Sequence, residues 1–178
     1  MSRNKILFLF FCCLAFCVKL RAQFYTYTNE FLNIGAGARA MAMGNATVAS
    51  VNDATAGYWN PAGLAFIRDQ PTFSAMHASY FSGIAGYDFL AAAIPTKDDK
   101  RTFGITALRF GVDNIPNTLS LVDPQSGQLN WNNVSSFSAS DYAFLLSYGQ
   151  VVKNTDDMKI SFGGNVKIIY RNVGSFGH

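Results

Sequence analysis

The sequence predicts an all-β protein that enters a membrane as an antiparallel barrel, with a helical segment ahead of its strands. Three observations carry that prediction. The chain opens with a charged, then apolar, then small-residue order that marks it for export. From Thr72 onward, apolar and polar residues alternate with period 2. Beyond residue 22 no run of ~20 apolar residues remains, so strands rather than helices would have to cross.

The export signal comes first. Arg3 and Lys5 precede an apolar run of 13 residues, Ile6 to Val18, and Leu20-Arg21-Ala22 ends in a small residue. Residues 1–22 therefore read as a cleavable secretory signal peptide. The run is shorter than the roughly 20 residues that a transmembrane helix needs. Phe16 is too bulky beside Cys17 for a lipid-attachment box. Cleavage after Ala22 removes Cys12, Cys13 and Cys17, which leaves no disulfide, thiol nucleophile or cysteine metal site. Arg3, Lys5, Lys19 and Arg21 leave as well. The mature chain keeps 10 basic and 11 acidic residues, a net charge of −1, so it has no basic field for nucleic acid.

Residues 23–71 read as a leader and a plug segment. Gln23 to Asn33 is polar and aromatic. Ile34 to Ala65 is rich in alanine, and Gly35, Gly37, Gly44 and Gly57 break it into short helices and turns. Asn52-Asp53 is placed to cap a turn from Ala54 to Trp59. Asn60-Pro61 closes that turn, because a residue before proline is pushed out of the helical region.

Residues 72–178 read as five antiparallel strands: Thr72–Phe81, Tyr87–Thr96, Arg101–Gly111, Asp141–Val152 and Lys159–Asn172. The last is the clearest. Ile160, Phe162, Gly164, Val166, Ile168 and Tyr170 share one face, while Lys159, Ser161, Gly163, Asn165, Lys167 and Arg171 share the other. Lys97–Lys100 and Asn154–Asp157 read as tight turns, and Val112–Ser140 as a 29-residue polar loop. Short turns alternating with long loops suit an outer-membrane barrel, with the long loop as an extracellular contact surface. A soluble antiparallel sandwich also has one apolar face per strand. Two details favour the membrane. Phe81, Tyr87, Phe110, Tyr142, Tyr148 and Tyr170 lie near strand ends, where interfacial aromatic girdles form. Asn165, Lys167 and Arg171 on the opposite face suit a wet or plugged interior better than a dry core.

Chemistry has little to work with, and neither catalysis nor a cofactor nor a metal is expected. Gly35-Ala-Gly37-Ala-Arg-Ala40, with Asp53 beyond it, echoes a dinucleotide fingerprint but lacks the strand–helix–strand unit that gives the fingerprint meaning. A close-packed turn explains its glycines equally well. His77 and His178 show no metal-ligand spacing. Asp98-Asp99 and Asp156-Asp157 are ordinary turn residues. The Asn45 and Asn133 glycosylation patterns read as chance.

Longer blocks carry more. Phe31 to Gly44 (FLNIGAGARAMAMG), Asn52-Asp53-Ala54 and Tyr58-Trp59-Asn60-Pro61-Ala62-Gly63-Leu64 together resemble the PorV/PorQ family of Bacteroidota outer-membrane proteins. Asp113 to Asn117 and Ser136 to Phe144 look like later blocks of that family. The run from Trp59 to Leu64 is also similar to the wider FadL superfamily of fatty-acid transporters. The resemblance implies a FadL-like barrel whose amino-terminal segment, here Ile34 to Ala65, folds into the lumen as a plug. Trp59, Asn60, Pro61, Gly63 and Leu64 would form the structural plug motif. It further implies a non-enzymatic protein of type IX secretion that binds secreted cargo and carries it to the surface attachment complex, with outer-membrane lipid and other secretion components as partners. The alternative from the same superfamily is a transporter of hydrophobic small molecules with a ligand in the lumen. Closed barrels need roughly eight strands or more, so five strands imply an amino-terminal fragment of a longer barrel.

Overall fold

The computed structural model describes residues 28–98, 100–123, 126–155 and 158–174. The signal peptide, Asp99, Asp156, Asp157 and His178 lie outside the described residues. The chain divides into two units, Met1–Glu30 and Phe31–His178, and the features below belong to the second. Among the described residues no helix is long and apolar enough to cross a membrane, a statement that does not bear on strands.

The period-2 stretch folds as expected into five strands. They are β1 (Thr72–Tyr80), β2 (Ala85–Pro95), β3 (Arg101–Asn117), β4 (Ser135–Asn154) and β5 (Lys159–Val173). They form one antiparallel sheet in the order β1-β2-β3-β4-β5, each strand beside its neighbours in sequence. Among the described residues the sheet is open, with β1 and β5 at its edges.

Register converts the alternation into two faces. One face is built of lateral rows such as Met76–Phe89–Leu108–Ala143 and Thr72–Ala93–Gly104–Ser147–Asn165. Tyr87, Phe89, Leu145, Thr102 and Thr106 are fully buried on it. The other face carries the rows Phe73–Ala92–Ile105–Leu146–Val166 and Ala75–Leu90–Ala107–Phe144–Ile168. Its large apolar side chains are exposed, from Phe144 at 48% to Phe73 at 78%.

Residues 31–67 lie on the first face. They form helix α1 (Ala38–Ala42), helix α2 (Ala56–Trp59) and a 3-10 turn at Pro61–Phe66. Gly35 and Gly37 lead into α1 with φ of 97° and 93°, values that side chains resist, which accounts for the glycine pattern without a nucleotide. Asp53 makes an Asx turn ahead of α2 rather than a side-chain cap on it: its Oδ1 accepts from the amide of the N-cap residue Thr55 at 2.8 Å and from the Thr55 hydroxyl at 2.6 Å. Asn60 turns extended, at φ −155° and ψ 95°, and ends α2 before Pro61, as proline requires.

Two expectations need correction. The loop expected over Val112–Ser140 shrinks to 118–134, because β3 runs on to Asn117 and β4 begins at Ser135. The polar residues Asp113 and Asn114 sit in a bulge between Val112 and Ile115, with Asn114 at φ 59°, beyond which pairing resumes at Ile115 opposite Phe137. Tyr87 and Phe110 do not belong to a girdle on the exposed face. Both point to the covered face, where Tyr87 is fully buried and Phe110 packs against the core.

Candidate functional site

The most organised feature is the seat that the sheet makes for residues 57–67. Two neighbouring rows of the covered face, Thr72–Ala93–Gly104–Ser147–Asn165 and Pro95–Thr102–Gly149–Gly163, consist almost entirely of small or polar residues. Backbone can therefore approach backbone. A Cβ at Gly163 would stand 2.3 Å from the Ala62 nitrogen, and one at Gly149 would stand 2.6 Å from the Pro61 oxygen. Glycine inside a strand commonly marks such close approach.

Polar groups then fasten the segment. The Gly57 carbonyl, at the middle of α2, accepts the Ser147 hydroxyl at 3.1 Å and the Asn165 amide at 3.0 Å. Two strands thus hold one carbonyl. Thr102 donates to the Ile67 carbonyl at 3.1 Å, ten residues further along the segment. Each bond contributes ~1 kcal/mol net, and more is lost if a buried carbonyl is left unpaired.

The five residues expected to form the plug motif lie in or beside this seat. Leu64 is fully buried over Gly104 and Gly149, a burial worth about 2 kcal/mol. Pro61 lies over Gly149 and Gly163. Gly63 passes the Val51 carbonyl so closely that a Cβ would stand 2.8 Å from it. Asn60 accepts the Ala62 amide at 3.2 Å and donates to the Val48 carbonyl at 2.9 Å. Trp59 donates from its ring nitrogen to the Ala36 carbonyl at 2.8 Å, tying the end of α2 to the turn before α1. Tyr58 packs edge-on against Trp59 and Phe89, with ring centroids 5.0 and 5.9 Å apart, and donates to the Leu32 carbonyl. Burial raises its hydroxyl pKa, which keeps that donor protonated.

Sequence reasoning placed Asn165 on the interior side but missed its wall partners Thr102 and Ser147, and the Gly57 carbonyl of the segment that Ser147 and Asn165 hold. The available signal was glycine at 104, 149 and 163 within otherwise regular strands.

A second cluster lies on the exposed face. The row His77–Asp88–Arg109–Tyr142–Tyr170 crosses all five strands. His77 Nδ1 lies 2.6 Å from Asp88 Oδ1, and Arg109 Nη1 lies 3.8 Å from Asp88 Oδ2. Arg109 Nη2 also reaches both oxygens of Asp113, at 2.8 and 2.9 Å, and the Ser140 hydroxyl at 3.0 Å. Among the described residues no three His, Cys, Asp or Glu side chains gather as a metal site.

Residues 19–148, well over half of the chain, match a family model described as type IX secretion system protein PorV. The match takes in the seated segment and β1 to β3, and reaches into β4. No curated protein and no solved structure matches the chain.

Proposed function

Because this chain belongs to the PorV family of type IX secretion system proteins, we propose that it forms the plugged wall of an outer-membrane barrel that receives secreted cargo and delivers it to the surface attachment complex. In this reading residues 31–67 are the plug, the covered face of the sheet is the lumen side, and the exposed face meets lipid. Further strands would pair the outer edges of β1 and β5. The protein binds and carries, and it is not an enzyme.

One observation carries the reading: the face of the sheet that residues 31–67 leave uncovered is apolar. It exposes Phe103, Ile105, Phe144, Leu146, Val166 and Ile168, although the opposite face already buries Tyr87, Phe89, Leu108 and Leu145 and seats the segment on its threonine, serine, glycine and asparagine rows. An antiparallel sheet of a soluble protein packs one face and leaves the other polar, whereas a membrane barrel turns an apolar face outward. The dimensions agree. Phe162 to Tyr170 spans about 27 Å of strand, which a tilt of about 40° reduces to ~20 Å, close to the ~25 Å apolar band of such barrels.

The test is alkaline extraction of membranes followed by a pull-down from the native host. The reading expects retention in the membrane and co-purification of cargo or other type IX components. Retention with a bound hydrophobic small molecule and no secretion component would favour a FadL-like transporter instead. Release by alkali would remove the barrel from both accounts.

A further inference from the structure

The exposed face is not uniform. In its two central rows the residues of β4 and β5 are large: Phe144 pairs with Ile168, and Leu146 with Val166. Across β1 to β3 small residues interrupt it. Ala92 sits between Phe73 and Ile105, and Ala75 and Ala107 flank Leu90. The result is an apolar hollow of about 430 Å³, of the order of one acyl chain.

The next row along the same three strands is His77–Asp88–Arg109, whereas on β4 and β5 that row is Tyr142–Tyr170. A polar hollow of about 250 Å³ opens there, lined by His77, Asp88, Arg109 and Asp113. The apolar hollow and the charged row therefore coincide on β1 to β3 and are both missing from β4 and β5.

We propose that the outward surface of β1 to β3 is a binding site for a single phospholipid, its acyl chain in the alanine-floored hollow and its phosphate and ammonium groups on the charged row. Charge decides the class of headgroup. The row and Asp113 in the bulge beside it offer one permanent cation, the Arg109 guanidinium, with two carboxylates within salt-bridge range of it and the His77 imidazole 2.6 Å from one of them. The guanidinium suits a phosphate and the carboxylates suit an ammonium. A headgroup with phosphate alone meets two carboxylates for one permanent cation, and is disfavoured. The site lies on the face opposite the seated segment, so it is distinct from any ligand in a lumen. The proposal rests on the barrel reading, since only a lipid-facing wall offers this surface to a membrane lipid.

Native mass spectrometry tests it on the full chain, extracted from membranes in mild detergent and supplied with phosphatidylethanolamine or phosphatidylglycerol. The expected result is one retained phosphatidylethanolamine, preferred over phosphatidylglycerol by about tenfold, the scale of one charge-assisted hydrogen bond. Ala92→Phe, which fills the hollow, and Arg109→Gln, which removes the guanidinium, each abolish that preference by separate routes. Leu146→Phe, on the bulky half of the same face, leaves it intact and controls for folding. Equal retention of the two lipids overturns the proposal, as does retention unchanged in both site variants. A polypeptide held in place of lipid and lost with Ala92→Phe overturns it in favour of a protein contact. A chain that stays in the membrane through alkali yet holds no lipid refutes this site alone, whereas a chain released by alkali refutes the barrel reading.

Discussion

The covered and exposed faces of the sheet come from the same strands, yet they set opposite requirements for their residues. Gly163 and Gly164 display the difference within one dipeptide. A side chain at Gly163 would collide with the Ala62 backbone, while one at Gly164 would meet nothing within 4 Å. Leu145 and Leu146 repeat it: the first is fully buried and the second is 56% exposed. The covered face is constrained by shape, because a backbone segment is pressed against it. In the proposed barrel the central rows of the exposed face are constrained by polarity instead, because the hydrocarbon core that they would meet disfavours charge.

The leucine pair gives the largest expected contrast. Leu145→Ala should cost about 2–5 kcal/mol through lost burial and a cavity, whereas Leu146→Ala should change stability little. In a bilayer the order reverses for charge, and Leu146→Arg should cost about 2–4 kcal/mol. Unfolding titrations in detergent and in vesicles measure both. If the two alanine variants were equally destabilised, the faces would not differ as described.

The glycine pair comes next. Gly163→Leu should cost about 1–3 kcal/mol through overpacking and expose residues 60–67 to limited proteolysis, while Gly164→Leu should leave the digestion pattern unchanged. A smaller effect is expected at the shared carbonyl. Asn165→Ala alone removes one of two bonds to Gly57 and should cost ~0.5–1.5 kcal/mol. Adding Ser147→Ala should cost more than the sum of the single variants, because the Gly57 carbonyl is then left without either side-chain donor.

The smallest effect is a pH dependence that belongs to neither face. Asp98, in the turn between β2 and β3, has its pKa lowered first by the Thr96 hydroxyl and then by the Lys100 amide. A carboxylate with a lowered folded-state pKa stabilises the fold above its ordinary titration range and loses that contribution as pH falls through the folded value. Thr96→Val should therefore reduce the acid sensitivity of the hairpin, read by amide exchange near pH 4 (about the ordinary aspartate value). An unchanged pH profile would contradict that role for Thr96.

Much of this arrangement was legible from the residues, and the reasons are physical. Period-2 alternation located all five strands, and it identified the face of β5 that carries Asn165. Local turn chemistry misled at residues 112–117, where Asp113, Asn114 and Pro116 read as loop while neighbouring strands kept the ladder going around a bulge. Tyr87 and Phe110 were aromatic and near strand ends, but only register reveals which face a residue takes. For the plug motif, the local turn at Asn60-Pro61 could be read directly. Its seat could not, because Gly104, Gly149 and Gly163 become one surface only after three strands are paired.

The central claim is that the exposed face meets lipid and the covered face does not. Single cysteines at successive positions from Tyr142 to Gln150, carrying nitroxide labels in bilayers, test it directly in a variant lacking Cys12, Cys13 and Cys17. The account predicts that collision with oxygen, which concentrates in lipid, peaks at the even-numbered positions and falls at 143, 145, 147 and 149. Even-numbered positions that collide instead with a water-soluble relaxant, or accessibility without a two-residue period, would contradict it.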